Sequence, residues 1–178
     1  LIELLQGMGV EVSRHSPSDC TFTAKNINIE YLTTEEFKVK AAAIRGSIMV
    51  VGPLLARYGK AYAPKPGGDK IGRRRLDTHF LGFQKLGAKF DFDTRDNFFT
   101  LEGKNMKGAY MLLDEASVTG TANILMAATL TPGITTIFNA ACEPYVQQLS
   151  KMLVQMGAKI SGIGSNLLTV EGVEQLGG

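Results

Sequence analysis

Three stretches of this chain end a helix in the same way, and that shared ending limits the available folds more than any other feature. They are "LLQGMGVEV" (residues 4–12), "GFQKLGAKF" (82–90) and "LVQMGAKI" (153–160). Each reads as the last turns of an amphipathic helix, then a glycine, then the start of a strand. Gly9, Gly87 and Gly157 fall where a helix closes on a left-handed residue, a conformation that glycine adopts at no steric cost. The text downstream repeats as well. "AKFDFDTRDNFFTLEG" follows Gly87 and "AKISGIGSNLLTVEG" follows Gly157, both reading as strand, polar turn, strand. "VEVSRHSPSDCTFTAKN" is a looser version of the same text.

A second match lies upstream. "EEFKVKAAAIRGSIMVVGPLLARYGKAYAP" and "DEASVTGTANILMAATLTPGITTIFNA" both read as a polar entry, an apolar helix, a glycine stop and a short strand. The helix bodies, around 46–58 and 120–130, are apolar on nearly every face, which predicts buried helices. The repeating unit is then strand–helix–strand–helix–strand–strand (βαβαββ), about 70 to 80 residues long. A unit of that size cannot cover its own buried helix, so several must pack together. The fold class is α/β (α+β), with mixed sheets around buried central helices. The first unit lacks its opening half and Leu1 begins inside an apolar, helix-like stretch. The chain therefore reads as part of a longer protein.

With 44% hydrophobic residues in 178, the chain has enough apolar material for a core. A net charge of +2 argues against a nucleic-acid binder, which needs a wide basic face. Cys20 and Cys142 form no C-x-x-C pair, and no His stands near them at metal-binding spacing, so reduced thiols and no metal site are expected. No apolar run has the length of a membrane span, and no signal peptide is legible.

The units differ at one junction. The last goes from strand to helix within "TTIFNAACEPYVQQL", whereas the middle one stretches the same junction into "AYAPKPGGDKIGRRRLDTHF". The short version meets the needs of the scaffold. The addition gathers three glycines and five of the chain's 19 Lys and Arg residues into residues 64–79. It is either a solvated surface loop or a loop for binding or catalysis, as long loops on rigid frames usually are. Lys70, Arg73, Arg74 and Arg75 offer many donors, and the helix that follows adds positive potential, so the segment suits an anion. Gly67 and Gly72 have P-loop spacing, but Arg73-Arg74 stands where Lys-Ser/Thr is needed, which rules out that motif. Asp69, at the centre, is either an ion-pair partner or a proton donor raised by burial. Arg45, at the start of the first buried helix, is a second anion contact or a capping group. Ser117-Val118-Thr119 open the next long helix as an N-cap or as a phosphate site. Glu143-Pro144 begin another helix. Asp77 and His79 close the long loop, and a lone His is more often structural than catalytic.

"PGGDKIGRRRLDTHFLGFQKLGAKF", "AAAIRGSIMVVGPLLARYG", "LLDEASVTGTANILMAATLTPGITTIFNAACEPYV" and "GAKISGIGSNLLTVEGVEQLGG" together resemble the enolpyruvyl transferase family, over essentially the whole chain. The G-G-x-x-I-G-x-R-x-x-D-x-H run and the ending "EGVEQLGG" resemble the branch that acts on UDP-N-acetylglucosamine rather than the shikimate-pathway branch. The resemblance implies transfer of the enolpyruvyl group of phosphoenolpyruvate to the 3′-hydroxyl of UDP-N-acetylglucosamine, with release of phosphate. This is the first committed step of peptidoglycan precursor synthesis in the bacterial cytoplasm, run without a metal or organic cofactor. It also implies two similar domains, each an inside-out α/β barrel of three units, with the active site between them. Residues 1–178 would be part of one such domain, without its N-terminal portion and without the second domain of the same chain. On that reading residues 1–178 alone do not turn over.

The resemblance also assigns roles. Asp69 stands where most members carry a cysteine that acts in proton transfer and is alkylated by fosfomycin. Arg74 matches an arginine that binds phosphoenolpyruvate, and Arg45 one near the charged parts of both ligands. Arg74, Arg75, Leu76, Asp77 and Thr78 align with the UDP-sugar-binding run, in which Pro-Val is common at the Arg75-Leu76 positions. Ser117 and Val118 match the backbone site for the diphosphate, just after Glu115, which replaces a frequent lysine. Glu143 is counted among the substrate-binding residues. Two alternatives stand beside this reading: the shikimate-pathway reaction, and a non-catalytic UDP-sugar-binding module that keeps the scaffold.

Overall fold

The structure, a computed structural model, describes residues 1–65, 67 and 75–178. In chain order its elements are α1 (Ile2–Gly7), β1 (Glu11–Ser16), β2 (Asp19–Thr23), α2 (Glu35–Ala42), α3 (Val51–Tyr58), β3 (Lys60–Pro64), α4 (Asp77–Lys85), β4 (Lys89–Asp93), β5 (Phe98–Glu102), β6 (Tyr110–Leu112), α5 (Val118–Ala128), β7 (Ile134–Phe138), α6 (Pro144–Gln155), β8 (Lys159–Ser161) and β9 (Leu167–Glu171). Short 3-10 turns occupy Glu30–Thr33 and Arg45–Val50.

The three glycine stops are one structure repeated. Gly9, Gly87 and Gly157 have φ of 92°, 100° and 104°. At each stop the glycine N–H bonds the carbonyl three residues back, and the next N–H bonds the carbonyl five back. The pairs are Gly9–Gln6 and Val10–Leu5 (2.9 and 3.0 Å), Gly87–Gln84 and Ala88–Phe83 (2.9 and 2.9 Å), and Gly157–Val154 and Ala158–Leu153 (3.0 and 2.9 Å). This is the Schellman ending, which satisfies helix carbonyls that would otherwise be orphaned. The residues it joins are apolar each time: Leu5 with Val10, Phe83 with Ala88, Leu153 with Ala158. Each stop feeds two consecutive strands that pair as neighbours: β1 with β2, β4 with β5, and β8 with β9.

The chain divides into two compact units. The second unit comprises Met49–Ala61, Ile71–Asp91 and Thr100–Gly178. Helix α5 runs through its centre and packs against α3, α4, α6 and β9. Gly120–Leu125, Ala127 and Ala128 of α5 are all buried. Leu125 and Ala128 form a cluster with Leu153, Ala158 and Val170. The four-stranded sheet has the order β6-β7-β9-β8, with β6 parallel to β7 and the other pairs antiparallel. Its inner rows, including Met111, Ile137, Leu168 and Val170, are buried under the helices. The last unit is therefore β6-α5-β7-α6-β8-β9, the order read from the sequence. Three-stranded order β3-β5-β4 completes the sheets. The first unit, Leu1–Ile48 with Tyr62–Lys70 and Phe92–Phe99, holds Leu4, Leu32, Phe37 and Ala41 in its core.

Three details differ from the sequence reading. The first buried helix is α only over Val51–Tyr58, and 45–50 is 3-10. Ser47 explains the change: its hydroxyl donates to the Ala41 carbonyl (2.7 Å), and its N–H bonds Ile44, only three residues back. Helix α3 buries Val51, Gly52, Leu54 and Leu55, while Arg57 is exposed, so it is covered on one side rather than all round. Among the described residues the middle unit has no opening strand. Where one would lie, the Asn28 side chain accepts from the N–H groups of Glu30 and Tyr31 (3.1 and 3.2 Å) and turns the chain into the 3-10 segment.

Candidate active site

Within the second unit, the ends of several elements are tied together at one edge. The Leu113 N–H bonds the Phe138 carbonyl (3.0 Å), and Asn139, at φ 59°, donates its side-chain N–H to the Leu113 carbonyl (3.0 Å). The Ala141 N–H bonds the hydroxyl of Thr121 in the first turn of α5 (3.0 Å). The C-terminal ends of β6 and β7 thus meet the N-terminal end of α5, with the approach to α6 beside them. Helix N-termini present unpaired N–H groups and positive potential, a setting suited to anions.

The start of α4 joins the same edge. The Thr78 side chain is buried (1% exposed), and its hydroxyl lies 3.2 Å from Asp114 Oδ1 and 3.1 Å from Glu115 Oε1. One hydroxyl proton serves one of these carboxylates at a time. Arg75 pairs through Nε with Asp77 (2.8 Å) and through its terminal nitrogen with Asp114 (2.6 Å). The two carboxylates, Asp77 first, raise the guanidinium further above its ordinary value, so Arg75 is a permanent cation here. Ser117 caps α5 by accepting from the Gly120 N–H (3.2 Å). A Cβ on Gly120 would come within 2.9 Å of Thr78 Cγ2, so the helix start and the Arg75–Thr78 run are in close approach.

Leu76 is the N-cap residue of α4, and Val118 opens α5, both half-buried. The structure thus gathers Arg75, Leu76, Asp77, Thr78, Ser117 and Val118 at one edge of one unit. Glu143 is the N-cap residue of α6, with Pro144 in the first turn, as the sequence suggested. Its Oε2 is buried and has no hydrogen-bond partner among the described residues. Arg45 belongs to the first unit, where it opens the 3-10 turn. Asp69 and Arg74 lie outside the described residues, together with Lys70 and Arg73.

His79 has the structural role that the sequence favoured. It is 1% exposed, next to Asn123 at 0%. Asn123 Oδ1 accepts from the Gly52 N–H (2.7 Å), so its amide nitrogen faces His79 Nδ1 (3.1 Å) and donates to it. The ring proton is then on Nε2, which donates to Thr119 (3.2 Å). Asp114 and Asn123 were not singled out in the sequence. A lone Asn inside an apolar helix was the available signal for Asn123. Asp114 resembles any acidic residue in a turn. Among the described residues no group of three or more His, Cys, Asp and Glu is placed to hold a metal ion.

Solved structures that share this fold include enolpyruvyl transferases. The chain superposes on the enolpyruvyl transferase NikO from Streptomyces tendae with a TM-score of 0.71 at 15% identity, covering 98% of this chain and 40% of that one. On EPSP synthase from Acinetobacter baumannii the TM-score is 0.68 at 18% identity, with 99% and 39% covered. Residues 1–178 match the EPSP synthase (3-phosphoshikimate 1-carboxyvinyltransferase) family throughout, and the chain belongs to that family. Its curated relatives include proteins named UDP-N-acetylglucosamine 1-carboxyvinyltransferase. That of Porphyromonas gingivalis is 60% identical over 178 residues, covering 100% of this chain and 41% of the relative. That of Borreliella burgdorferi is 48% identical, covering 100% and 40%. The chain thus spans about 41% of the length of the curated relatives it matches.

Proposed function

We propose that the whole protein is a UDP-N-acetylglucosamine 1-carboxyvinyltransferase of the bacterial cytoplasm. Its substrates are phosphoenolpyruvate and UDP-N-acetylglucosamine, and it works with a second domain of the same chain. The observation that carries this reading is the 60% identity to a relative of that name across all 178 residues. The edge built from Arg75–Thr78 and the Ser117 cap supports it, since helix starts beside a guanidinium suit a diphosphate.

In the proposed reaction the sugar 3′-hydroxyl gives its proton to a base and its oxygen bonds C2 of phosphoenolpyruvate, while a proton adds to the methylene carbon C3. A proton then leaves C3, the bond from C2 to the phosphate oxygen breaks, and inorganic phosphate departs. Arg74 and Arg45 would hold the phosphate and carboxylate of phosphoenolpyruvate. The run Arg75, Leu76, Asp77 and Thr78 and the amides at Ser117 and Val118 would seat the UDP-sugar. Glu143, whose Oε2 lacks a partner among the described residues, would face substrate polar groups. Asp69 would deliver the proton at C3. Carboxyl groups titrate near 3.9 and thiols near 8.5, so desolvation must raise Asp69 for that task. A carboxylate is also a poor target for an epoxide.

The test is phosphate release by the whole protein given both substrates, with and without fosfomycin. Turnover that persists in the drug is expected; covalent inactivation at ordinary drug levels would refute the role given to Asp69, and no phosphate release would refute the reaction. The family description also names the shikimate-pathway reaction. Phosphate release with 3-phosphoshikimate in place of the UDP-sugar would favour that second reading. An Asp69→Asn variant should lose turnover yet keep UDP-sugar affinity. A binding module would bind the sugar and never turn over.

A further inference from the structure

We infer that Asp114 is a positioning residue: its one carboxylate bridges Arg75 and Thr78 and so sets the Arg75–Thr78 run against the capped start of α5. The inference rests on the proposed reading for its link to UDP-sugar binding, but its structural part stands on geometry alone. Asp114 Oδ2 lies 2.6 Å from the Arg75 terminal nitrogen, and Oδ1 lies 3.2 Å from the Thr78 hydroxyl. The two partners are three residues apart at the entry to α4, so a single side chain fixes both ends of the run. The other carboxylate on Arg75, Asp77, is two residues away in the same run (2.8 Å) and cannot tie that run to another segment. Asp114 sits three residues before the Ser117 cap. Whatever it holds is therefore registered against the first turn of α5.

Charge alone would give the opposite expectation. Asp77 and Asp114 place two carboxylates on the Arg75 guanidinium, and Glu115 adds a third against the Thr78 hydroxyl, at an edge proposed to take a dianionic diphosphate. If Asp114 acted only through its charge, neutralising it would tighten binding of an anion. If it positions the run, neutralising it loosens the ion pair with Arg75 and weakens binding, because pre-organised geometry is lost. The two ideas therefore differ in sign.

The experiment uses the whole protein and Asp114→Asn, with Thr78→Val as a second variant should the first not fold. Calorimetric titration with UDP-N-acetylglucosamine is expected to give about tenfold weaker binding in Asp114→Asn. The KM for phosphoenolpyruvate and kcat at saturating sugar should be nearly unchanged. In an Arg75→Met background, Asp114→Asn should add little further loss, since the two act as one unit. Amide hydrogen exchange of the 75–80 segment, measured without ligand, should be faster in the variant. Equal or tighter sugar binding, or unchanged exchange in that segment, would overturn the inference. Faster exchange in a protein whose wild type does not bind the sugar would uphold the positioning role and sink the functional reading instead.

Discussion

Asn123 occupies the middle of an otherwise apolar helix and spends both ends of its amide on buried partners. Its oxygen takes the Gly52 N–H and its nitrogen meets His79. Replacing it by Leu keeps the branched shape in a slightly larger side chain but strands a backbone donor and a ring nitrogen. We expect Asn123→Leu to cost about 1–3 kcal/mol in chemical denaturation of the whole protein; a change below about 0.5 kcal/mol would mean that water or a shift re-satisfies the pair. A second expectation concerns Glu36 on α2. Lys40 holds its carboxyl below the ordinary carboxylate value by a 2.7 Å hydrogen bond and by charge. A depressed carboxyl stabilises the fold above its unfolded pKa, and the benefit is lost as pH falls through the folded value. Melting curves of wild type and Glu36→Gln should therefore differ near neutrality and converge in acid. The pair is exposed, so the gap is small. Asn123 stood out only as a lone polar residue in an apolar helix and Asp114 not at all, because each takes its role from partners far along the chain. Ser117 was legible, because a cap acts on its own helix.

The glycines are the elements' clearest marks in the sequence, and they act in two different ways. Gly9, Gly87 and Gly157 are needed for their left-handed backbone, a local demand that leaves a local signature. Apart from its chain neighbours, no described residue lies within 4 Å of a Cβ added at Gly157, so Gly157→Ala meets only backbone strain, about 1–2 kcal/mol. Gly52 is needed for close approach: its Cβ would run into the backbone carbonyl of Asn123 and lie 2.5 Å from that residue's Oδ1. The carbonyl cannot move without distorting α5, and the side-chain oxygen cannot move without giving up its bond to the Gly52 N–H. Gly82 faces Ile124, whose side-chain end can shift. Denaturation midpoints should therefore rank Gly52→Ala as the most damaging, near 3 kcal/mol, and Gly82→Ala as milder. A tolerated Gly52→Ala would mean that α3 and α5 are less tightly apposed. The sequence marked the stops and the strand pairs that follow them. It did not mark Gly52 or Gly82 as contact glycines, nor Ser47 as the residue that turns 45–50 into a 3-10 segment. The two glycines depend on which helix lies opposite, and Ser47 on the carbonyl that the end of α2 offers it.

A chain with a net charge of only +2 has little overall field with which to draw in anions. On the proposed reading, the electrostatic help that this chain gives phosphoenolpyruvate comes from Arg45 and from the cations collected between 64 and 79. Several cations elsewhere are already engaged: Lys38 with Glu35 and Asp96, Lys40 with Glu36, and Lys159 with Glu171. Lys159 lies in the register row of Ile134, at the opposite end of β7 from Asn139 and the candidate edge. A five-residue strand covers about 13 Å between its ends, which exceeds the roughly 10 Å screening length at 0.1 M salt. Two outcomes follow for the whole protein. Raising the salt from about 0.05 to about 0.5 M should raise the KM for phosphoenolpyruvate several-fold, since screening then acts within roughly 4 Å. Lys159→Ala should leave that KM and its salt slope unchanged, whereas Arg73→Ala should flatten the slope. A KM that ignores salt, or that responds equally to both substitutions, would mean that the clustered charges act as a solvated surface and that the anion is held by some other part of the protein.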